Sequence, residues 1–304
     1  MTRTALKIAA TLILCAALYA AADWREVAGH LAAIDVRLLG LALLLFVPQT
    51  LVSGWRWRAL VRPEAKIGLW EGARHILVAS AANLVMPSRL GDFSKAALLP
   101  GLDAAGRKRA AAIVVAEKVV DMAVLALAVG VGMLGAQACW IVAAAGGLLC
   151  ATEPMLKVSN RRRGAALVGG TIVLWSLHLW QLHLFVRCCG VDVPLSTSVE
   201  RIPAALVAGV LPASFCGIGT RDAALVWLFR DVAPAATMAA VGMLSALRYL
   251  IPGAAGIPLW WAGRKLATTA TATTSAHAGP SPHRADRSRR TARLFRSAGS
   301  EERR

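Results

Sequence analysis

The residues of this chain that could do chemistry are charged side chains set inside apolar stretches. Glu117, Lys118 and Asp121 interrupt an apolar run at 110–133. Glu117 and Asp121 are four residues apart and share one helix face, where two carboxylates could bind a metal or act in acid–base catalysis. The alternative, which we favour because basic residues are in excess nearby, is that they neutralise buried cations. The candidate partner cations are Arg89, Lys95 and Arg221.

Two polar segments with helix-breaking residues hold most of the other candidates. Pro and Gly end helical hydrogen bonding there, and free backbone amides beside an arginine can bind a phosphate. The alternative is that each arginine pairs with its neighbouring aspartate. The candidate substrate-binding residues are Asn83, Ser88, Arg89, Asp92, Ser214, Arg221, Asp222 and Arg248. The expected structural and charge-network residues are Pro87, Gly91, Lys95, Glu117, Lys118, Asp121, Pro212, Gly217 and Gly219.

Three further polar residues lie in the apolar run at 164–186. His178 and Gln181 can share a helix face, whereas His183 is offset by about half a turn. We expect hydrogen bonds between helices from these side chains. A proton relay is the alternative.

The composition places all of these residues in a membrane protein. Apolar residues make up 57% of the 304 positions and charged residues only 17%, whereas soluble domains average roughly 45–50% apolar residues even with glycine counted. The sequence has no CxxC pair, no zinc-type spacing of Cys and His, and no nucleotide-binding, metalloprotease or hydrolase signature. We therefore expect no cofactor and no metal, and we assign no catalytic residue.

Six apolar runs are candidate membrane spans, and most are long enough for a hydrocarbon core of roughly 30 Å. They fall at about 5–22, 38–53, 110–133, 136–152, 164–186 and 235–262. The first could instead be a signal peptide. The loops at 54–74 and 89–109 each carry five Lys or Arg residues, including Arg56 and Lys95, whereas 187–201 carries two. Since basic loops stay in the cytoplasm, both termini are predicted to be cytoplasmic.

The apolar stretch at 75–88 is too short to span easily, and both of its flanks are basic. This pattern predicts a re-entrant hairpin, in which the chain enters the membrane and returns to the same side. We expect a helix at about 70–86, a break at 87–91 and a short returning helix at 92–101.

Residues 199–231 repeat this form, with a break at 212–219 and a helix from Thr220. The expected fold is an all-α membrane protein of about six transmembrane helices and two re-entrant hairpins. Three spans in each half require an inverted repeat, which is a transporter architecture. Eight ordinary spans are the alternative.

The net charge of +17 is partly explained by the end of the chain. Residues 264–304 carry ten Lys or Arg against three acidic residues and have little apolar surface to bury. We expect a disordered, basic, cytoplasmic tail attracted to anionic lipid, and no nucleic-acid binding. The transmembrane domain is predicted at 1–263, with repeat halves at about 1–134 and 135–263.

Four strings of this sequence resemble the lysylphosphatidylglycerol synthase transmembrane-region family, the flippase-like membrane domain of multiple-peptide-resistance factors. They are GWRWRAL (54–60), NLVMPSRLGDFSKAALL (83–99), EKVVD (117–121) and LPASFCGIGTRD (211–222). The resemblance covers about residues 1–263. Carried over position by position, it marks Asn83, Pro87, Arg89, Gly91, Asp92, Glu117, Asp121, Pro212, Gly217, Gly219 and Arg221.

Lys95, Lys118 and Asp222 depart from the family, which more often has Arg, Arg and Glu there, and this weakens a bidentate grip on phosphate. No aminoacyl-transferase domain follows residue 263, so the resemblance implies lipid translocation rather than lipid aminoacylation. We expect a stand-alone bacterial inner-membrane protein that moves an anionic phospholipid or a lipid-linked headgroup between leaflets. The alternatives are a membrane transferase acting on a lipid carrier and an accessory subunit of a lipid or envelope pathway.

Overall fold

The computed structural model describes residues 24–134, 161–210 and 218–277, and all regular structure in these ranges is helical, as predicted. The helices are α1 (Trp24–Ala32), α2 (Val36–Leu44), α3 (Phe46–Val61), α4 (Leu69–Asn83), a 3₁₀ helix (Pro87–Phe93), α5 (Ser94–Ala97), α6 (Ala104–Val129), a π-helical turn (Gly130–Leu134), α7 (Arg161–Cys188), α8 (Leu195–Val210), α9 (Thr220–Leu228) and α10 (Ala235–His277). The described residues up to Leu259 form one compact unit, and those from Trp260 form a second.

Three segments in the described ranges are long and apolar enough to cross a membrane. They are Val36–Val61, Arg163–Cys188 and Ala235–Ala262, and they match three of the predicted spans. The run at 110–133 lies largely in α6, which has 26 residues but carries too many charges to belong to this set. The predicted spans at 5–22 and 136–152 lie outside the described residues.

The segment Val36–Val61 consists of α2 and α3, which meet at a bend. Asp35 caps α2, because its Oδ1 accepts hydrogen bonds from backbone N–H groups of the first turn. The bend lies at Leu45, just before Pro48, which has no N–H to donate to the carbonyl of Leu44. The sequence therefore bends this span without ending it.

The outer face of α3 is an apolar stripe. Val47, Leu51 and Trp55 follow one another at intervals of four residues and are 39%, 40% and 45% exposed. Exposed apolar side chains at helical spacing, in a chain of this composition, suit contact with lipid tails. The opposite face of α3 must then face the protein interior.

The first hairpin (69–97) consists of α4, the 3₁₀ helix and α5. A Cβ atom on Gly91 would lie 2.5 Å from the backbone nitrogen of Asn83, so the chain returns against α4 only because this residue has no side chain. The structure corrects the local prediction. The expected break at 87–91 is part of the 3₁₀ helix, which Pro87 begins because the first helical N–H needs no partner. The returning helix at 92–101 is reduced to the four residues of α5.

The second hairpin (195–228) consists of α8 and α9, and the residues between them, 211–217, are outside the described ranges. Helix α9 begins at Thr220, where the sequence predicts it. Gly219 has φ +89°, a left-handed conformation that favours glycine. Its N–H donates to Asp222 Oδ2 at 3.1 Å, so Asp222 caps the helix. The membrane depth of both hairpins and the inverted relation of the two halves stay predictions.

Helices α3 and α4 cross at very short range. A Cβ atom on Gly72 would lie 2.5 Å from the carbonyl oxygen of Gly54, so the two backbones are in direct contact. Helix α7 packs against α2, α3, α6 and α8. An apolar core that includes Trp57, Leu60 and Val114 fills the space between α3 and α6. These contacts fix the positions of the side chains described next.

Candidate substrate cavity

A cavity of about 170 Å³ is bounded mainly by α3, α4, α6, α7 and α10. Its polar and charged lining residues are Gln49, Thr50, Ser53, Arg56, Ser80, Asn83, Asp92, Lys95, Lys118, Asp121, Trp175, His178, Arg248 and Tyr249. An engineered cavity of about 150 Å³ holds a benzene molecule. There is therefore room for a group of roughly the size of a phosphate.

Helix α3 turns its polar face to this cavity. Gln49, Ser53 and Arg56 repeat at helical spacing on the side opposite the exposed stripe of Val47 and Leu51. The helix thus has one face suited to lipid and one face suited to a polar ligand. This is the arrangement expected where polar groups inside a membrane line an internal site.

Hydrogen bonds between helices hold the wall around Gln49. Its Nε2 donates to Gln181 Oε1 on α7 at 3.1 Å, and Gln181 Nε2 donates to the carbonyl of Ala42 on α2 at 2.8 Å. On the far side of α7, the ring of His183 bonds Ser198 of α8 at 2.8 Å. The interhelical role predicted for Gln181 and His183 is therefore confirmed.

Arg56 is the centre of a buried charge network. Its Nε lies 3.2 Å from Glu117 Oε1, and its Nη1 donates to Asp121 Oδ1 at 2.8 Å and to Thr171 Oγ1 at 2.6 Å. The side chain is buried in α3, which continues to Val61. The prediction that Arg56 belongs to a loop is therefore wrong. The apolar residues that follow it keep the helix going, and two carboxylates of α6 stabilise its charge.

Lys95 of α5 enters the same network from the first hairpin. Its ammonium pairs with Glu117 Oε2 and lies 4.6 Å from the centre of the Trp57 ring. The indole N–H of Trp57 in turn donates to His75 Nδ1 at 3.3 Å. Lys95 is buried, so it too was wrongly counted among the loop cations. Glu117 thus joins α3, α5 and α6 through two ion pairs.

The more exposed edge of the network is formed by Asp92 and Lys118. Lys118 Nζ lies 2.6 Å from Asp92 Oδ2 and 3.6 Å from Asp121 Oδ2. Asn83 Nδ2 donates to Asp92 Oδ1 at 2.8 Å, which ties the end of α4 to the 3₁₀ helix. The Lys118 side chain is 38% exposed, so it is the network cation most accessible to a ligand.

The charges around the cavity do not cancel. Four cations line it (Arg56, Lys95, Lys118 and Arg248), together with two carboxylates, Asp92 and Asp121. Glu117 adds a third carboxylate behind Arg56 and Lys95. One positive charge therefore remains in excess among these described side chains. A site of this charge favours an anion, since buried cations are stabilised by negative charge.

Arg221 and Asp222 form a separate, sealed pair in the second hairpin. Arg221 donates to Asp222 Oδ1 from Nε at 2.9 Å and from Nη2 at 2.6 Å, and Nη2 also reaches the carbonyl of Gly242 on α10 at 3.1 Å. Both side chains are essentially inaccessible. The Arg221 guanidinium lies 5.7 Å from the ring of Tyr249, whose neighbour Arg248 lines the cavity.

The structure brings together only part of the predicted site. Asn83, Asp92 and Arg248 line the cavity, and so do Lys95, Lys118 and Asp121 of the expected charge network. Arg221 and Asp222 do not line it, and Arg221 pairs with Asp222 rather than with Glu117 or Asp121. The backbone of Ser88 and Arg89 lies in the 3₁₀ helix. Pro212, Ser214 and Gly217 are outside the described residues.

Sequence reasoning missed Arg56 as a site residue, along with the polar face that leads to it. The available signal was the spacing of Gln49, Ser53 and Arg56, which keeps one helical face polar through an otherwise apolar run. Thr171 was missed because a hydroxyl inside an apolar helix can simply bond its own backbone. It does so here, donating to the carbonyl of Leu167 at 2.6 Å.

Among the described residues, no group of three or more His, Cys, Asp or Glu side chains is placed to hold a metal ion. The nearest arrangement is the pair Glu117 and Asp121. Their oxygens contact Arg56, Lys95 and Lys118, which is the environment of neutralised carboxylates rather than of metal ligands.

Fold and cavity together define an all-α membrane protein with a polar, cation-rich site enclosed by apolar-faced helices. Residues 4–153 match the family model described as "Lysylphosphatidylglycerol synthase TM region", which supports the resemblance carried by the three motifs in that range, and the motif at 211–222 lies outside the match. The family links the membrane domain to lipid and envelope processes. No curated protein matches the chain.

Proposed function

We propose that this protein moves the headgroup of an anionic phospholipid or a lipid-linked anion across the bacterial inner membrane, with the lipid tails remaining in the bilayer. The observation that carries the proposal is the cavity, where four cations against three carboxylates, Glu117 included, leave one positive charge in excess. The protein would need no ATP hydrolysis of its own, since its sequence has no nucleotide-binding motif.

The chemistry of the cavity supports a phosphate as the group that is bound. Lys118 and Arg248 are cations with donor groups at the lining, and charge-assisted hydrogen bonds to phosphate are among the stronger ones. Arg248 offers a planar fork that matches two phosphate oxygens, whereas Lys118 acts as a point charge. Ser53 adds a hydroxyl that can donate to the ester oxygens, whereas the Ser80 hydroxyl donates to the carbonyl of Ile76 at 2.9 Å.

The two faces of α3 support a path in which the headgroup moves along the polar face of this helix while the lipid tails stay at its apolar face. A headgroup beside Arg56 and Ser53 is only one helix diameter, about 10 Å, from lipid on the side of Val47 and Leu51. A polar headgroup cannot enter hydrocarbon without losing its hydrogen bonds. A polar groove next to an apolar face removes that penalty while leaving the tails in lipid.

A transferase with Glu117 and Asp121 as catalytic carboxylates is less well supported. A general acid or base needs a proton that it can exchange with a substrate. Both carboxylates are buried and held by Arg56, Lys95 and Lys118. Carboxylates held by ion pairs in this way suit a structural role.

Lipid exchange in liposomes tests the proposal. A fluorescent anionic phospholipid is placed in both leaflets, and a membrane-impermeant quencher is added outside. The purified protein should expose the inner-leaflet probe to the quencher. Arg248→Gln and Lys118→Gln should each slow exchange about tenfold, the equivalent of about 1.4 kcal/mol, and Arg248→Lys should be milder because it keeps the charge.

The matched control is Arg230→Gln, which removes an exposed cation outside the cavity. Exchange in this variant should equal that of the wild-type protein. A parallel set of liposomes carries a lipid-linked sugar phosphate instead of the phospholipid, which separates the two headgroup classes. Rates no faster than in empty liposomes with both probes would exclude the proposal.

A further inference from the structure

Two basic segments that are distant in the sequence form one exposed surface. Arg109 Nε lies 2.9 Å from Glu64 Oε2, which joins the first turns of α6 to the loop between α3 and α4. We call this surface the basic corner. Its exposed cations are Arg58, Arg62, Lys66, Arg107, Lys108 and Arg109.

Three acidic residues of the same segments are engaged in local contacts. Glu64 pairs with Arg109, Glu71 accepts from the N–H of Gly68 at 2.8 Å, and Asp103 accepts from the N–H of Gly106 at 2.7 Å. Six exposed cations against three carboxylates leave a net positive surface. The carboxylates hold the backbone in place and the cations project around them.

Two exposed apolar residues follow Lys66 closely in the sequence. Trp70, in the first turn of α4, is 68% exposed, and its neighbour Leu69 is 40% exposed. Tryptophan next to basic residues is the combination found at membrane–water interfaces, where the ring sits among headgroups and the cations reach phosphates. Exposed residues of both types occur within the short segment 62–70.

By contrast, in the other loops that the structure describes, several exposed basic residues have acidic partners or neighbours. Arg187 pairs with Asp192 at 3.1 Å, and Arg201 pairs with Asp231. Arg25 and Arg37 have Glu26 and Asp35 close to them in the sequence. No comparable excess of exposed cations occurs in these segments.

We propose that the basic corner is a docking surface for the anionic headgroups of a lipid leaflet, with Trp70 placed among those headgroups. Clusters of four to eight basic residues next to a membrane helix attract anionic lipid strongly, each adding to the affinity. The six cations of the corner fall within this range. The proposal does not require transport, so it stands or falls separately from the exchange assay.

Fluorescence of Trp70 in reconstituted protein tests this. The contribution of Trp70 is the difference between the wild-type protein and Trp70→Phe. In phosphatidylcholine vesicles, a small fraction of brominated phosphatidylglycerol should quench that contribution at least about twofold more than the same fraction of brominated phosphatidylcholine. The preference should disappear at about 1 M salt, where charges are screened within about 3 Å.

A triple variant, Arg62→Gln with Lys66→Gln and Lys108→Gln, should remove the preference for the anionic lipid. The matched control, Arg25→Gln with Arg37→Gln and Arg230→Gln, removes three exposed cations elsewhere and should keep it. Equal quenching by the two brominated lipids in the wild-type protein at low salt would overturn the proposal, whatever the variants do. So would quenching of Trp70 by aqueous acrylamide but by neither lipid, which would indicate a surface for a soluble partner.

Discussion

The two hairpins use the same residue types for different purposes. In the first, Asp92 and Lys95 reach outward to other elements, so that α3, α4, α5 and α6 share one charge network beside a cavity. In the second, Arg221 and Asp222 are adjacent in sequence, bond each other, are buried and do not line that cavity. The charges of the first hairpin form ion pairs with several other helices around a cavity. The charges of the second hairpin form one buried ion pair within a single helix.

This difference shows that a helix break with a basic and an acidic residue does not by itself define a binding site. Whether such a pair contributes to a binding site depends on whether the two charged residues come from different elements of the fold. Arg56, Asp92, Lys95 and Asp121 come from different elements and line one cavity, whereas Arg221 and Asp222 are neighbours in one helix and do not line it. The following predictions test that contrast, from the largest expected effect to the smallest.

The first hairpin's network should be most sensitive at Arg56. Arg56→Gln leaves Glu117 and Asp121 buried with less positive charge, which should destabilise the protein by about 3–5 kcal/mol. The measurement is the loss of folded, monodisperse protein on heating in detergent. Arg58→Gln is the matched control, since Arg58 is exposed on the same helix two residues later. Adding Asp121→Asn to Arg56→Gln should recover part of the loss, and a fully additive double mutant would contradict the network.

The second hairpin's pair should behave as a closed unit. Arg221→Gln and Asp222→Asn should each destabilise the protein by about 3 kcal/mol, because each leaves a buried charge without its partner. The double variant should be closer to the wild type than either single variant, as measured by thermal stability. Anion-dependent stabilisation by added phosphatidylglycerol should persist in the double variant. Its loss would show that the pair belongs to the cavity after all.

The two hairpins also differ in how closely a glycine of each one packs against its neighbours. A Cβ on Gly91 would meet the backbone of Asn83 at 2.5 Å, whereas a Cβ on Gly209 would meet the Arg221 side chain at 3.0 Å. Gly91→Ala should therefore destabilise the protein by about 1–3 kcal/mol and Gly209→Ala by less, since the longer contact at Gly209 requires a smaller shift of its neighbour. Gly40→Ala, with nothing within 4 Å of the added Cβ, is the control. Similar melting temperatures for Gly91→Ala and Gly40→Ala would argue against the close return of the first hairpin.

Much of the fold followed from the sequence because it depends on local signals. The apolar runs placed three membrane spans, and Gly219 with Asp222 placed the start of α9. The returning part of the first hairpin was predicted as too long a helix. The pattern of polar and apolar residues in this segment does not show that Pro87 begins a 3₁₀ helix or that Gly91 packs against α4.

The site was predictable only in part, because its charges come from distant elements. Lys118 and Asp121 were found as charges that interrupt an apolar run, and Asp92 was found as a carboxylate beside a helix break. Arg56 was not, since a basic residue near the end of a span fits a cytoplasmic loop equally well. Only the fold shows that it lies beside Glu117, 61 positions later. The sequence around a charged residue does not show which distant residue will be its ion-pair partner.

The smallest expected effect concerns the outer ion pair of the second hairpin. Arg201 of α8 donates to Asp231 in the loop before α10, with Nη2 lying 2.9 Å from Oδ2. The hydrogen bond from Arg201 lowers the pKa of Asp231 below its ordinary value of 3.8. A carboxyl whose pKa is lower in the folded protein stabilises it above pH 3.8, and this contribution is lost as the pH falls through the lower, folded-state pKa. The melting temperature of the wild-type protein should thus slightly exceed that of Asp231→Asn at pH 6, and the difference should shrink below about pH 4. The effect should be small because the pair is exposed. A difference that grows on acidification would mean that Asp231 is held by something other than Arg201.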